Sequence, residues 1–210
     1  MKIISLGSSC SISHNLQLLN KREESLPFDW IKSSRLSSIN LMIRTDFTKL
    51  WDKTEYKLKK ESDKFFIQND KLENNYTDVN IYYHQTYLIN FYHDFEKSID
   101  FNISFDKFKV KYKRRVNRFF NLIINSKEIL FIREQINPKH IKIEDIKEFI
   151  KLIKNLNPNL EFKLLIILNN YLEKDVIDYQ SPHLDIIIEK SKLSSWQRVE
   201  VLKPIILNYL

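Results

Sequence analysis

With 210 residues, 43% of them apolar and 13% aromatic, the chain can bury a substantial core, which excludes an intrinsically disordered protein. Lys and Arg number 34 against 27 Asp and Glu, a net charge of +7 that would favour an anionic partner. A single cysteine excludes an internal disulfide and any multi-cysteine metal site.

The first six residues are short and apolar and run straight into a glycine turn, so they read as a strand and not as a secretory leader. With no transmembrane span in the pattern, the expectation is a cytoplasmic protein whose thiol is reduced and which needs no cofactor. Most of the positive charge lies in a sequence rich in Lys, Asn and Ile throughout, and is expected to be solvated surface.

Lys2–Leu6 predicts a buried first strand, followed by the Gly7-Ser8-Ser9-Cys10 turn. Ser11–Asn20 has a helical pattern with Ile12, Leu16 and Leu19 on one face. Pro27-Phe28-Asp29-Trp30 is a compact aromatic turn ahead of a second helix, about Leu36 to Trp51. The charged, weakly patterned stretch around 53–80 predicts a loop-rich excursion. Ile81–Phe95 suits one or two strands.

The clearest helix carries Phe105, Phe108, Tyr112, Val116, Phe119, Phe120 and Ile123 at spacings of three and four, with Lys and Arg on its other side. Glu128–Arg133, Phe162–Leu168 and Leu184–Ile188 read as buried strands, with a helix over Ile143–Leu156 between the first two. A last helix is expected after the cap candidates Ser194 and Ser195. Apolar strands alternating with helices predict an α/β fold: a three-layer sandwich with a mostly parallel, Rossmann-like sheet, as one domain over 1–210.

Ligands of such sheets collect beyond the carboxyl ends of the strands. The first turn there holds Gly7, the only glycine of the chain. Free amides and the helix dipole at the following N-terminus would favour a Cys10 thiolate, and the amides of Ser8 to Ser11 could stabilise an oxyanion. Two other readings stay open. Ser8 or Ser9 could cap the helix with Cys10 packed behind it, or the turn could cradle a phosphate or sugar phosphate. The spacing fits neither a P-loop nor a Gly-x-Gly-x-x-Gly fingerprint.

A cysteine nucleophile needs a base. Among His14, His84, His93, His140 and His183, the candidate is His93, at the end of an apolar strand and next to Asp94. Asp29, wedged between Phe28 and Trp30, is the alternative carboxylate for orienting it. Arg133, at the end of its strand, could hold a substrate carboxylate or phosphate, with Trp30 as a second substrate contact, or it could pair with Glu134. The basic helix face could meet nucleic acid, although a helix with a full apolar stripe is usually simply amphipathic.

Ser5-Leu-Gly-Ser-Ser-Cys10, Leu26-Pro-Phe-Asp-Trp-Ile31, Tyr92-His-Asp-Phe95, Lys113-Arg-Arg-Val-Asn-Arg-Phe119 and Ile129-Leu-Phe-Ile-Arg133 resemble a family of papain-like cysteine peptidases of unknown function, found in bacteria and some large viruses. The resemblance implies a Cys–His hydrolase with Cys10 as nucleophile and His93 as base, acting on a peptide, ester or glycan-linked substrate. The order of elements is also similar to that of SGNH hydrolases. That comparison would make Ser9 the nucleophile, but the chain lacks a late Asp-x-x-His block: Asp178 to His183 has the wrong spacing.

Overall fold

The computed structural model describes residues 1–59, 78–135, 140–169, 178–190 and 199–209. Most of the expected excursion and the Ser194-Ser195 caps lie outside the described residues.

Strand β1 (Lys2–Ser5) leads through the Gly7 turn into helix α1 (Ser11–Leu18). A short strand β2 (Ile31–Ser33) precedes α2 (Leu36–Arg44). Two 3-10 turns, Thr48–Trp51 and Lys53–Glu55, then lead to β3 (Tyr56–Leu58). The hairpin β4 (Tyr82–His84) and β5 (Ile89–Phe91) comes next, then the long helix α3 (Phe101–Asn125). The chain continues as β6 (Glu128–Gln135), α4 (Ile143–Leu156), β7 (Glu161–Asn169), β8 (Leu184–Glu189) and α5 (Val199–Leu207).

Strands β1, β6, β7 and β8 form one sheet in that spatial order, all parallel. Side chains alternate along each strand, so one strand feeds two cores. On one face, Leu130, Ile132, Leu165 and Ile167 meet Ile12 and Leu16 of α1 and Leu202 and Ile206 of α5. On the other, Ile129, Phe131, Leu164 and Ile166 belong to the larger core with Phe119 and Ile123 of α3 and Phe149 and Ile153 of α4. The result is helices on both faces of a parallel sheet, the α/β sandwich expected from its apolar strands. All of β6 except Glu128 is buried.

The sequence pattern did not reveal a second sheet. Strands β2, β5, β4 and β3 form an antiparallel sheet of three-residue strands, too short to show a period of two. It is held by aromatic packing instead: Tyr56 and Phe91 stack at 5.7 Å, and Phe108 and Tyr112 of α3 at 4.2 Å. Helix α2 also ends seven residues before the expected Trp51. Asp46 and Phe47 adopt φ of 55° and 56°, which breaks the helix and turns the Phe47 ring inward onto Phe28 at 5.6 Å.

Candidate active site

The turn after β1 is built on two consecutive left-handed residues, Gly7 at φ +70° and Ser8 at φ 79°. Gly7 has little room for a side chain. A Cβ there would sit 3.3 Å from the Phe28 carbonyl and from Ser33 Oγ, and 3.4 Å from Ile31 Cγ1. Ser8 and Ser33 lace the turn to β2: the Ser8 amide donates to Ser33 Oγ at 3.2 Å, and the Ser33 amide to the Ser8 carbonyl at 3.3 Å. A serine held at positive φ is the kind of local strain that persists only when the surroundings fix it.

Cys10 is the N-cap residue of α1, half-buried, and its carbonyl accepts the His14 amide at 2.9 Å. His14 is therefore one turn along the same helix. Of the turn amides, that of Ser8 is taken by Ser33, and that of Ser11 donates to Ser9 Oγ at 3.3 Å.

Arg133 and Glu134 are neighbours in β6 and point to opposite faces, so they do not pair with each other. Arg133 is fully buried. Its guanidinium donates to the Leu6 carbonyl at 2.9 Å, the Ser33 carbonyl at 2.9 Å, Ser33 Oγ at 3.1 Å and Gln135 Oε1 at 2.8 Å. Where a substrate contact was expected, the structure places an internal strut joining β6, the end of β1 and Ser33. Burial pulls its pKa down.

Glu134, also fully buried, faces the other way, beneath the turn. It accepts from the Ser11 hydroxyl, from Ser9 Oγ at 3.4 Å and from Asn169 Nδ2, at the end of β7, at 2.6 Å.

Asp29 ties the aromatic turn to α1. Its carboxylate accepts from Ser13 Oγ at 2.9 Å and the Leu26 amide at 2.8 Å, with Arg22 Nε 3.3 Å away. Burial raises its pKa against the lowering pull of those partners.

His93 follows β5, whose Phe91 pairs with Ile31 of β2. Its ring meets Trp30 edge-on at 5.6 Å. Around it lies a cavity of about 250 Å³ lined by Trp30, His93, Asp94, Lys111 and Arg115. Asp94 pairs with Lys111 Nζ at 2.5 Å and accepts from the Tyr112 hydroxyl at 3.2 Å. Burial, Lys111 and Arg115 lower the His93 pKa below 6.5, and Asp94 pulls the other way. Arg22 lies over the Trp30 ring at 4.9 Å.

The Phe28–Ser33 segment is thus the common support. The Gly7 turn and α1 pack on it through Phe28, Asp29, Ile31 and Ser33, and His93 packs on it through Trp30. Two other histidines have structural places. His84 is buried, bonded at Nε2 to the Lys49 carbonyl and at Nδ1 by the Tyr87 amide. His183 stacks on Phe162 at 4.4 Å. Among the described residues, no group of His, Cys, Asp and Glu could hold a metal ion. No helix among them is long and apolar enough to cross a membrane.

Ser33, Ser13, Arg22 and Arg115 were not singled out in the sequence, and Glu134 only as a possible partner of Arg133. Arg115 did leave a signal: it falls three residues after Tyr112, on the apolar stripe of α3 and not on its basic face.

A parallel α/β sheet whose first strand-to-helix turn carries a cysteine at a helix N-cap defines an α/β protein with its candidate site at the carboxyl ends of the strands. More particularly, the chain belongs to the family described as "Putative papain-like cysteine peptidase", whose model matches residues 1–171. It is 32% identical over 215 residues to an uncharacterized protein of Acanthamoeba polyphaga mimivirus, covering 98% of this chain and 96% of that one. No solved structure matches it.

Proposed function

We propose that the protein is a cysteine-dependent hydrolase that works by acyl transfer on a peptide or ester bond. Cys10 attacks the carbonyl, forming a thioester and expelling the leaving group, and His93 takes the thiol proton and returns it to that group. Water, deprotonated by His93, then releases the acid product and restores the thiol. The observation that carries this reading is the position of Cys10: the N-cap of a helix, after two left-handed residues, at the ligand-binding end of a parallel sheet.

The helix terminus favours the thiolate, and amides of the turn serve as oxyanion donors, those of Ser8 and Ser11 being already bonded within the protein. Asp94, which lines the cavity with His93 and acts on its charge, is the better placed carboxylate for orienting the imidazole, while Asp29 is engaged by Ser13, the Leu26 amide and Arg22.

Glu134 argues against Ser9 as the nucleophile, since the Ser9 hydroxyl is bonded to a carboxylate, a weak base for it.

The test is acylation by p-nitrophenyl acetate. A burst of nitrophenol with one acetyl group on Cys10, abolished in Cys10→Ala, supports the reading. Acetyl on Ser9, or no burst, refutes it.

A further inference from the structure

In this +7 chain the His93 cavity is lined by a buried cation, Arg115, one of whose nitrogens has no hydrogen-bond partner. Three cations, Arg22, Lys111 and Arg115, surround two carboxylates, Asp29 and Asp94. Arg22 is matched to Asp29 at 3.3 Å and Lys111 to Asp94 at 2.5 Å. Arg115 makes no ion pair among the described residues, although its charge also acts on Asp29. It is 9% exposed, its guanidinium carbon lies 4.8 Å from the centre of the Tyr112 ring, and its Nη1 is buried without a hydrogen-bond partner.

A buried guanidinium N–H without an acceptor is costly, and such groups are rare unless a ligand or water completes them. Packed against Tyr112 and lining the cavity, Arg115 carries a planar set of donors, the geometry that carboxylate and phosphate oxygens match. The cavity beside it, about 250 Å³, is the size of a small anionic head group or one side chain, and Trp30 supplies an apolar wall. Arg133 cannot take that role, because its donors are bonded inside the protein.

We propose that the cavity is an oxyanion subsite in which Arg115, flanked by Lys111 and walled by Trp30, binds a carboxylate or phosphate group of the substrate. This rests on the hydrolase reading only for calling the ligand a substrate; the binding itself does not depend on Cys10. In that reading, the enzyme would select acyl substrates with an anionic group close to the scissile bond, as at the carboxyl end of a peptide.

Binding is followed by the His93 imidazole resonances, with N-benzoylglycine as the carboxylate probe, phenyl phosphate as the phosphate probe and N-benzoylglycinamide as the neutral control. The expected result is saturable shifts of His93 with one or both anions, about tenfold or more weaker binding of the amide, and the same binding in Cys10→Ala. The stronger of the two anions identifies the natural group. Arg115→Gln should lose binding about tenfold or more, and Arg115→Lys should keep part of it. The amide comparison uses the unaltered protein and stands even if Arg115→Gln fails to fold. Equal binding of the amide, or no shift with either anion, overturns the subsite. An unreactive Cys10 with intact anion binding would instead refute the hydrolase reading and leave the subsite standing.

Discussion

Gly7→Ala tests whether the turn is as constrained as its geometry indicates. At φ +70° an alanine pays about 1–2 kcal/mol for the left-handed backbone. Its Cβ would also meet the Phe28 carbonyl and Ser33 Oγ at 3.3 Å and Ile31 Cγ1 at 3.4 Å. Two of these neighbours are not easily moved: Phe28 is buried, and Ser33 is held by Arg133 and the Ser8 amide. Restricting the unfolded chain returns about 0.4–1 kcal/mol. The net loss is about 1–2 kcal/mol, or a fall in Tm of about 2–8 °C for a domain of this size. Differential scanning calorimetry measures it, with Gly7→Asn as a partner because asparagine tolerates this region better. An alanine variant with unchanged or raised Tm would refute the argument. An asparagine variant no better than alanine would assign the loss to the Cβ contacts and not to the backbone.

Three further predictions follow from the same residues. His93 should titrate below 6.5, because burial, Lys111 and Arg115 disfavour its charged form. Between its folded value and 6.5 the unfolded chain holds a proton that the folded chain lacks, so stability falls as pH drops through that window. His93→Gln should flatten that slope in denaturant titrations at pH 5 to 7, and Arg115→Gln should move the His93 titration upward; an unchanged titration refutes the assignment. Arg133→Met removes the strut between β6, Leu6 and Ser33, and should lower urea stability by about 3 kcal/mol or more, since several buried acceptors lose their donor at once. A loss under 1 kcal/mol would show that the strut is dispensable. Glu134→Gln keeps the shape but disturbs the acceptor of Ser9, Ser11 and Asn169, and should cost about 1–3 kcal/mol, read by the same titration. Unchanged stability would mean that the network re-pairs freely.

The parallel sheet was legible because its strands are buried on both faces and so are apolar runs: Ile129 to Ile132 and Phe162 to Leu168 announce themselves. The antiparallel sheet was not, since three-residue strands such as Ile31–Ser33 carry no readable period and are placed by tertiary pairing with Ile89–Phe91. The Gly7 turn was legible from the only glycine. Its supports were not, because Ser33 lies 25 residues and Arg133 and Glu134 more than 120 residues from the turn they hold. Arg133 was misread as substrate-facing because position at a strand end gives depth in the fold, while the side chain's donors are claimed by whatever carbonyls lie near. Arg115 shows the reverse case. A charged residue on an apolar stripe is a conflict visible in the sequence, and conflicts of that kind collect at functional sites.

Whether Cys10 is a nucleophile assisted by His93 is decided by the rate of its alkylation by iodoacetamide at pH 6. Cys10 is the only thiol of the chain, so total labelling reports it alone. Labelling is expected to be faster than that of an unstructured cysteine peptide, and slower in His93→Gln with the fold intact by circular dichroism. Labelling no faster than the peptide, or equal in the two proteins, would contradict that role.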